Sequence, residues 1–174
     1  MPPSTTESSQ ALDADDFRWL TGAQAARILT DDAESKRTLA TRIKHLRRTL
    51  SAARAHLIVE QVELRLRARA KFSQAQQMYF TRRGLEQATD EIVADYRARR
   101  YARAGAVFDL CCVVGGDMLA VAYVATTTAL DRDAVMAILA EANAGVAPQT
   151  VEAGGAPKAI DVFRRDVVEA DVRQ

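Results

Sequence analysis

An apolar segment that ends in an acid and then breaks into a glycine pair is the part of this chain best suited to chemistry. Residues 106–117 are AVFDLCCVVGGD, in which AVFDL predicts a β-strand and the glycine pair predicts a turn that opens a helix. Such a turn presents backbone N–H groups to a ligand, and glycine lets that ligand approach without a Cβ in its way. The segment therefore predicts a nucleotide-binding turn.

The spacing of the glycines separates two classes of nucleotide cofactor. The fingerprint of nicotinamide and flavin enzymes is G-x-G-x-x-G, and its three positions are here Val113, Gly115 and Met118. Two of the three glycines are absent, which argues against those cofactors. What remains is Asp109, three residues, and then a G-x-G-G-like turn in which Val113 replaces the first glycine and Gly115 and Gly116 keep the others.

A second acid supports the nucleotide interpretation. Asp131 lies 22 positions after Asp109, at the end of the next apolar run. In α/β dinucleotide-type folds, a carboxylate about 20 residues past the glycine turn accepts both ribose hydroxyls. A glycine pair after an apolar strand also occurs in α/β proteins that bind no nucleotide, so a purely structural turn is the alternative.

These residues resemble the first motif of class I S-adenosylmethionine-dependent methyltransferases. Segments 71–105 and 109–122 are similar to actinobacterial methyltransferases that carry a THUMP-like C-terminal domain and, more distantly, to trimethylguanosine synthases. Residues 129–144 are similar to the second strand, acid and following helix of that family, and residues 159–167 to its third strand with an acid beyond it. The family's turn is DLCCGIGGD or D-x-F-C-G-x-G-G, so Val113 is a departure.

The resemblance covers roughly residues 17–172 and implies S-adenosylmethionine as the cofactor. It implies Asp166 near the adenine, while Phe80 and Thr81 match the family's aromatic-Ser/Thr step and are expected to close the pocket. No catalytic residue and no metal ligand is expected. The expected cofactor-binding residues are Phe80, Thr81, Asp109, Cys111, Val113, Gly115, Gly116, Asp131, Arg132 and Asp166.

The valine in the glycine turn is expected to weaken cofactor binding. At this position the backbone passes closest to the methionine portion of the cofactor. A β-branched side chain occupies that space and resists positive φ. We therefore expect low affinity, and an increase when Val113 is replaced by glycine.

The resemblance also predicts a truncated chain. A class I methyltransferase sheet has seven strands with the first strand central, and the loop after the fourth carries an Asn/Asp-Pro-Pro-aromatic or Asp-Pro-Arg motif that positions the acceptor. This sequence reaches Gln174 before a fourth strand, and none of its four prolines lies in such a motif. We expect part of a cofactor pocket, no acceptor site and no activity by the chain alone. We also expect self-association or pairing with a missing C-terminal half.

Composition excludes several other classes of protein. The 174 residues are 48% hydrophobic and 27% charged, and no uncharged apolar run approaches the length of about 18 residues that indicates a membrane span. The start, MPPSTTESSQ, lacks the features of a secretion signal. Cys111 and Cys112 are adjacent and cannot easily bridge, which favours the cytoplasm. His45 and His56 lack zinc-ligand spacing and are expected on helix surfaces.

The net charge of +1 conceals a basic middle segment. Residues 36–103 carry 17 Lys and Arg against six acids, a net charge of +11, whereas residues 1–35 and 104–174 each carry −5. This asymmetry favours contact with RNA or another nucleic acid, and the alternative is a solvated helix surface that offsets the acidic flanks. The expected phosphate-contacting residues are Arg65, Arg69, Lys71, Arg82, Arg83, Arg97 and Arg100.

Periodicity predicts an α/β fold in which an all-helical N-terminal region precedes a partial Rossmann-like βαβαβ unit. Residues 1–15 are polar and expected to be disordered, 16–104 to be helical, and 105–174 to form the cofactor-binding domain. One amphipathic helix is predicted within 32–50, and further helices are predicted over 52–72, 82–103 with Thr81 as N-cap, 115–125 and 133–144. The predicted strands are 106–110, 126–130 and 159–163, with a Gly/Pro-rich loop at 148–158. The apolar positions expected to face inward include Leu39, Ile43, Leu46, Leu50, Val62, Leu66, Ala70, Leu85, Ala88, Ile92 and Tyr96.

Two functions from different classes follow. The first is a methyltransferase-family protein that acts on RNA or another nucleic acid. The second is a non-catalytic remnant whose basic helices bind nucleic acid or a partner and whose glycine turn is vestigial.

Overall fold

The computed structural model describes residues 12–146 and 157–168. These residues form helices followed by a parallel three-stranded sheet with helices, which is the predicted α/β fold. The chain divides into two compact units, Met1–Glu60 and Gln61–Gln174. Of the segments expected to be irregular, residues 1–11 and most of the Gly/Pro-rich loop lie outside the described ranges.

The first unit contains helices α1 (Ala14–Leu20), α2 (Ala23–Ala33), α3 (Leu39–Leu46) and the beginning of α4 (Ala52–Ala68). The Asp13 carboxylate caps α1 by accepting hydrogen bonds from the amides of Asp15 and Asp16 at 2.9 and 3.0 Å.

The helix predicted within 32–50 is present but shorter, because α2 ends at Ala33 and α3 covers only Leu39–Leu46. Between them runs the polar sequence ESKRT, which offers no apolar position to continue the buried stripe. The Arg42 guanidinium donates hydrogen bonds to both oxygens of buried Asp32 and so joins the two helices. Leu39 is consequently 52% exposed.

The second unit continues α4 and adds α5 (Arg82–Gln87), α6 (Glu91–Ala98) and a 3-10 turn (Arg99–Tyr101). The predicted cap is confirmed, since the Thr81 hydroxyl accepts a hydrogen bond from the Gly84 amide at 2.9 Å. The continuous helix predicted over 82–103 is wrong. Ala88 is extended, and Asp90 caps a new helix by accepting a hydrogen bond from the Ile92 amide at 2.9 Å.

This break changes which side chains of α6 are buried. Ala94 and Ala98, each 1% exposed, pack with Ala120, Val121 and Ala125. Ile92 and Tyr96, expected to face inward, are instead 72% and 71% exposed, and Leu66 of α4 is 53% exposed.

The sheet has the order β1-β2-β3 with all strands parallel. Strand β1 (Ala106–Leu110) leads through α7 (Gly116–Val121) to β2 (Thr126–Asp131), and α8 (Ala134–Asn143) leads to β3 (Ile160–Arg164). The predicted strands are confirmed to within one residue, while α7 is shorter than the helix predicted over 115–125. Asp133 caps α8 by accepting hydrogen bonds from the amides of Val135 and Met136.

The two faces of the sheet differ in burial. The connections β1–α7–β2 and β2–α8–β3 both cross to the next strand on the same side. Since such connections are right-handed, α7 and α8 lie on the same face of the sheet. Val107 points to that face and packs against the alanine cluster of α6 and α7. On the other face Phe108, Leu110 and Phe163 are 43%, 41% and 47% exposed. Within the described ranges β1 pairs with β2 alone, which leaves its outer edge unpaired.

In the part of the chain that the structure describes, no helix is long and apolar enough to cross a bilayer.

Candidate functional site

A cleft of about 330 Å³ lies at the carboxyl ends of β1 and β2, where open α/β sheets bind ligands. Five of the residues predicted to bind the cofactor line it, and they are Cys111, Val113, Asp131, Arg132 and Asp166. Arg83, predicted to contact phosphate, lines it as well. Four further residues line the cleft that were not predicted from the sequence, and they are Gln87, Asp133, Met136 and Val167. Of these, Asp133 carried a signal, because an acid directly before an apolar helix is a typical N-cap.

Asp131 connects the end of β2 to the glycine turn. Its carboxylate is only 8% exposed, and its two oxygens accept hydrogen bonds from the Val113 amide at 3.0 Å and the Asp133 amide at 2.9 Å. Each oxygen of a carboxylate accepts two hydrogen bonds, so each retains one acceptor position. Asp131 therefore combines fixed geometry with capacity for two hydroxyl donors.

The glycine turn has an unusual backbone. Cys111 and Val113 have φ angles of 92° and 54°, and Gly115 has a φ of 90°. The turn is anchored to the sheet, since the amides of Cys111 and Cys112 both donate to the Leu130 carbonyl at 2.8 and 3.0 Å. Positive φ is costly for a β-branched residue. The valine thus occupies the conformation that glycine would adopt without strain.

The two glycines of the turn are held by the protein itself. A Cβ on Gly116 would lie 2.7 Å from the Thr89 carbonyl oxygen, and a Cβ on Gly115 would lie 2.5 Å from the Met118 side chain. Neither glycine lines the cleft. In the protein as it stands, Gly116 is required by the close approach of the segment between α5 and α6.

Asp109, near the end of β1, is partly buried and does not line the cleft. Desolvation by burial raises the pKa of its carboxyl to about 6, and the nearby charges of Asp117 and Asp131 add to this rise. A hydrogen bond from the Met118 amide lowers the pKa and partly offsets these effects. Burial likewise raises the pKa of the Cys112 thiol to about 12, with Asp109 the next cause. Cys112 is therefore protonated at neutral pH, and Cys111 is the exposed cysteine.

Asp117, in the first turn of α7, holds α6 in place. It accepts a hydrogen bond from the Thr89 hydroxyl at 2.5 Å, and the Arg97 guanidinium lies 3.4 Å from its carboxylate and 3.1 Å from Thr89. Arg97, predicted to contact phosphate, thus takes part in an internal network.

The aromatic-Thr step packs behind the cleft. Phe80 is 1% exposed and its ring lies 5.8 Å from that of Phe72. The Thr81 hydroxyl approaches the sulfur of Met136 at 3.9 Å, and Met136 is the residue of this contact that lines the cleft. Phe80 and Thr81 support the cleft without lining it.

Three polar side chains hold the segment 78–80 by its backbone. The Arg65 guanidinium donates to the Met78 carbonyl at 2.8 Å and lies 4.7 Å from the centre of the Tyr79 ring. Gln61 Oε1 accepts from the Phe80 amide at 3.2 Å.

Asn143, which is fully buried, contributes the third hold on this segment. Its Oδ1 accepts from the Tyr79 amide at 2.8 Å, and its Nδ2 donates to the carbonyls of Tyr79 and Val114 at 3.0 and 2.9 Å. One side chain at the end of α8 therefore ties the glycine turn to the segment that precedes α5. The sequence analysis gave no indication of this role.

The other basic residues predicted to bind phosphate have different surroundings. Burial lowers the pKa of Arg65. The Lys71 ammonium donates to the carbonyls of Leu85, Glu86 and Ala88 at 2.9, 3.2 and 2.8 Å, and so caps the end of α5. Arg69, Arg82, Arg83 and Arg100 are exposed. Across residues 12–146 and 157–168, no three His, Cys, Asp or Glu side chains group as metal ligands.

No protein-family model matches the chain, and no curated protein matches it significantly. Among solved structures, the chain is similar to the crystal structure of a putative methyltransferase from Porphyromonas gingivalis W83, with a TM-score of 0.64 and 18% sequence identity. The similarity covers 92% of this chain and 38% of that chain. The chain therefore has a methyltransferase-like fold, and at this identity the likeness shows the fold alone.

Proposed function

We propose that this chain is an S-adenosylmethionine-binding protein of the methyltransferase type, related to the enzymes with a THUMP-like domain, that acts on RNA or another nucleic acid. The observation that carries the proposal is Asp131. Its buried carboxylate stands in the cleft beside the glycine turn, with one acceptor position left on each oxygen.

The residues present fit the adenosine part of this cofactor. The cleft volume of about 330 Å³ lies at the lower end of the range for small-molecule sites. Asp131 would hold the two ribose hydroxyls, while Arg132 and Asp166 would border the base. The bound cofactor would supply an activated methyl group, and the chain would contribute its orientation.

Carboxylates near the turn would favour the cationic end of the same cofactor through their charge, since Asp109 and Asp117 do not themselves line the cleft. Asp109, Asp117 and Asp131 lie close enough for the last two to raise the pKa of Asp109. A cationic ligand near Asp109 would favour its ionised form. The fold similarity to a putative methyltransferase supports this choice of cofactor.

The basic segment supports nucleic acid as the acceptor. Residues 36–103 carry a net charge of +11, and Arg83 from this segment is exposed at the cleft. The chain corresponds to 38% of the length of the structure it resembles, so methyl transfer and its acceptor are proposed for the whole protein. The activity of the chain alone and its place in the cytoplasm stay predictions.

A specific observation favours a second function, a non-catalytic binding module with a vestigial turn. Val113 lines the cleft and holds a strained φ of 54°. A β-branched side chain here would lower affinity for a cofactor that passes close to this position.

Titration calorimetry with S-adenosylhomocysteine tests the proposed function. We expect low-affinity binding, and Asp131→Ala should weaken it by about 10- to 150-fold, since charge-assisted hydrogen bonds contribute about 1.5–3 kcal/mol. The matched control is Asp161→Ala, which removes an exposed carboxylate from β3.

Equal affinity in the wild type and Asp131→Ala would contradict the role of Asp131. No binding by the wild type at millimolar ligand would favour the non-catalytic module.

A further inference from the structure

The outward side of α6 carries a tyrosine flanked by an aliphatic residue and two arginines. Tyr96 is 71% exposed, and Ile92, one turn earlier, is 72% exposed. Arg99 and Arg100 follow Tyr96 by about one turn and are exposed as well. These four residues, Ile92, Tyr96, Arg99 and Arg100, are called the α6 surface below.

The packing of α6 explains why this side faces outward. Ala94 and Ala98 are buried against residues of α7 and the turn that follows it. At about 100° per residue, Tyr96 lies on the side of the helix opposite these alanines. The packing of these two alanines thus leaves the α6 surface facing away from the buried cluster.

The end of α6 and the turn that follows it carry mainly positive charge. Residues 96–103 are YRARRYAR, with four arginines and no acid. Arg99 pairs with Asp95 at 2.9 Å, but exposed pairs of this kind contribute little and leave the guanidinium accessible. Among the described residues, Arg100 forms no hydrogen bond or ion pair. An anionic partner with flat aromatic groups complements such a surface.

We propose that the α6 surface binds single-stranded RNA, with a base stacked on Tyr96 and phosphates contacted by Arg99 and Arg100. Proteins that bind single-stranded nucleic acid stack its bases on aromatic side chains and contact its phosphates with nearby positive charges. A duplex hides the faces of its bases, whereas RNA offers unpaired loops and ends. The inference rests on the proposed function, for which it supplies the contact with the acceptor.

Fluorescence anisotropy with a labelled 12-nucleotide single-stranded RNA of mixed sequence tests this proposal. We expect Tyr96→Ala to weaken binding by about 5- to 150-fold, which corresponds to about 1–3 kcal/mol for one stacked base. Tyr96→Phe keeps the aromatic ring and should retain wild-type affinity. Arg100→Ala should lower the slope of log K against log salt by about 0.7.

The matched control for charge is Arg164→Ala. Arg164 is also an exposed arginine, but it lies in β3 and outside the basic helical segment. We expect it to leave RNA affinity unchanged. An equal loss in Arg164→Ala and Arg100→Ala would overturn the proposal, and so would wild-type affinity in Tyr96→Ala. Equal or tighter binding of duplex RNA or single-stranded DNA would overturn the choice of partner.

Two further measurements separate this inference from other outcomes. If sedimentation shows a dimer that Tyr96→Ala abolishes, and no RNA binds, the α6 surface is a protein interface and the proposal is wrong.

Calorimetry with S-adenosylhomocysteine on the same preparations distinguishes the RNA-binding proposal from the cofactor-binding proposal. RNA binding without cofactor binding would contradict the proposed function, and cofactor binding without RNA binding would contradict the α6 surface.

Discussion

Val113 shows how one residue sets the quality of the candidate site. Its amide donates to Asp131, and its φ of 54° is a conformation that costs an L-residue about 1–2 kcal/mol and a β-branched residue more. The strain is held by neighbours on both sides, because the carbonyl of Val114 is bound by buried Asn143 and the amide of Cys112 by Leu130.

Replacing Val113 by glycine should raise cofactor affinity, because it removes a β-branched side chain from a residue that lines the cleft. The strain at φ 54° is already present without a ligand, so its removal should raise the free energy of unfolding instead. We expect about a tenfold gain in S-adenosylhomocysteine affinity by calorimetry, equivalent to about 1.4 kcal/mol. Val113→Ala is the control, since it trims the side chain but keeps a Cβ at positive φ. A gain in Val113→Ala equal to that in Val113→Gly would assign the whole effect to space, and no gain in either would contradict the prediction.

Asp109 should make the stability of the protein depend on pH. Its pKa is raised from 3.8 to about 6 in the folded state, so its stabilising contribution is present below pH 3.8 and is lost as the pH rises through 6. The full shift corresponds to an energy on the order of 3 kcal/mol. Asp109→Asn cannot ionise, so its free energy of unfolding relative to wild type should be higher at pH 7.5 than at pH 4.5.

Urea unfolding at the two pH values measures this difference. Asp161→Asn, on the exposed side of β3, is the control and should show no such change. The same difference between Asp109→Asn and wild type at both pH values would rule out a raised pKa for this carboxyl.

At the scale of elements, the strands could be predicted from the sequence because residues next to one another in the chain determine their limits. The strands AVFDL and TTTAL are short apolar runs bounded by turn residues, and the structure places strands there within one residue. The spacing from Asp109 to Asp131 likewise predicted two carboxylates near one turn, and the pKa of Asp109 reflects that proximity.

The helices were less predictable because their limits depend on contacts distant in sequence. Residues 82–103 have an apolar repeat that continues through the break, but the segment at Thr89 must pass within reach of Gly116 and Asp117. The Lys71 ammonium stabilises the end of α5 from 14 to 17 residues away. No pattern within 82–103 contains that information.

The same limit explains why Asn143 was missed. It acts on Tyr79 and Val114, which are 64 and 29 residues away. Gly84 also packs closely on this turn, because a Cβ added to Gly84 would lie 2.7 Å from the Val114 side chain. Asn143 and Gly84 therefore both contact Val114 of the glycine turn. An asparagine late in an apolar helix gives no sign in the sequence that it supports a binding turn.

At the scale of the whole molecule, one face of the sheet carries exposed apolar side chains, and no helix within residues 12–146 and 157–168 covers it. Parallel sheets are almost always covered on both faces, yet Phe108, Leu110 and Phe163 are exposed on the face opposite α7 and α8. The edge of β1 is also unpaired within the described ranges. An apolar face beside an open edge favours pairing with another polypeptide, either a second copy or a further part of the same protein.

The purified chain should therefore self-associate through β1. Sedimentation velocity over a range of concentrations should show species larger than a monomer, because pairing at the edge satisfies backbone hydrogen bonds and covers Phe108. Phe108→Lys places a charge beside that edge and should shift the protein to the monomer. Val168→Lys adds the same charge at an apolar residue that is 93% exposed and lies outside the sheet, so it should leave the association intact. A wild type that stays monomeric at every concentration, or an equal effect of the two lysines, would show that β1 is not the site of association.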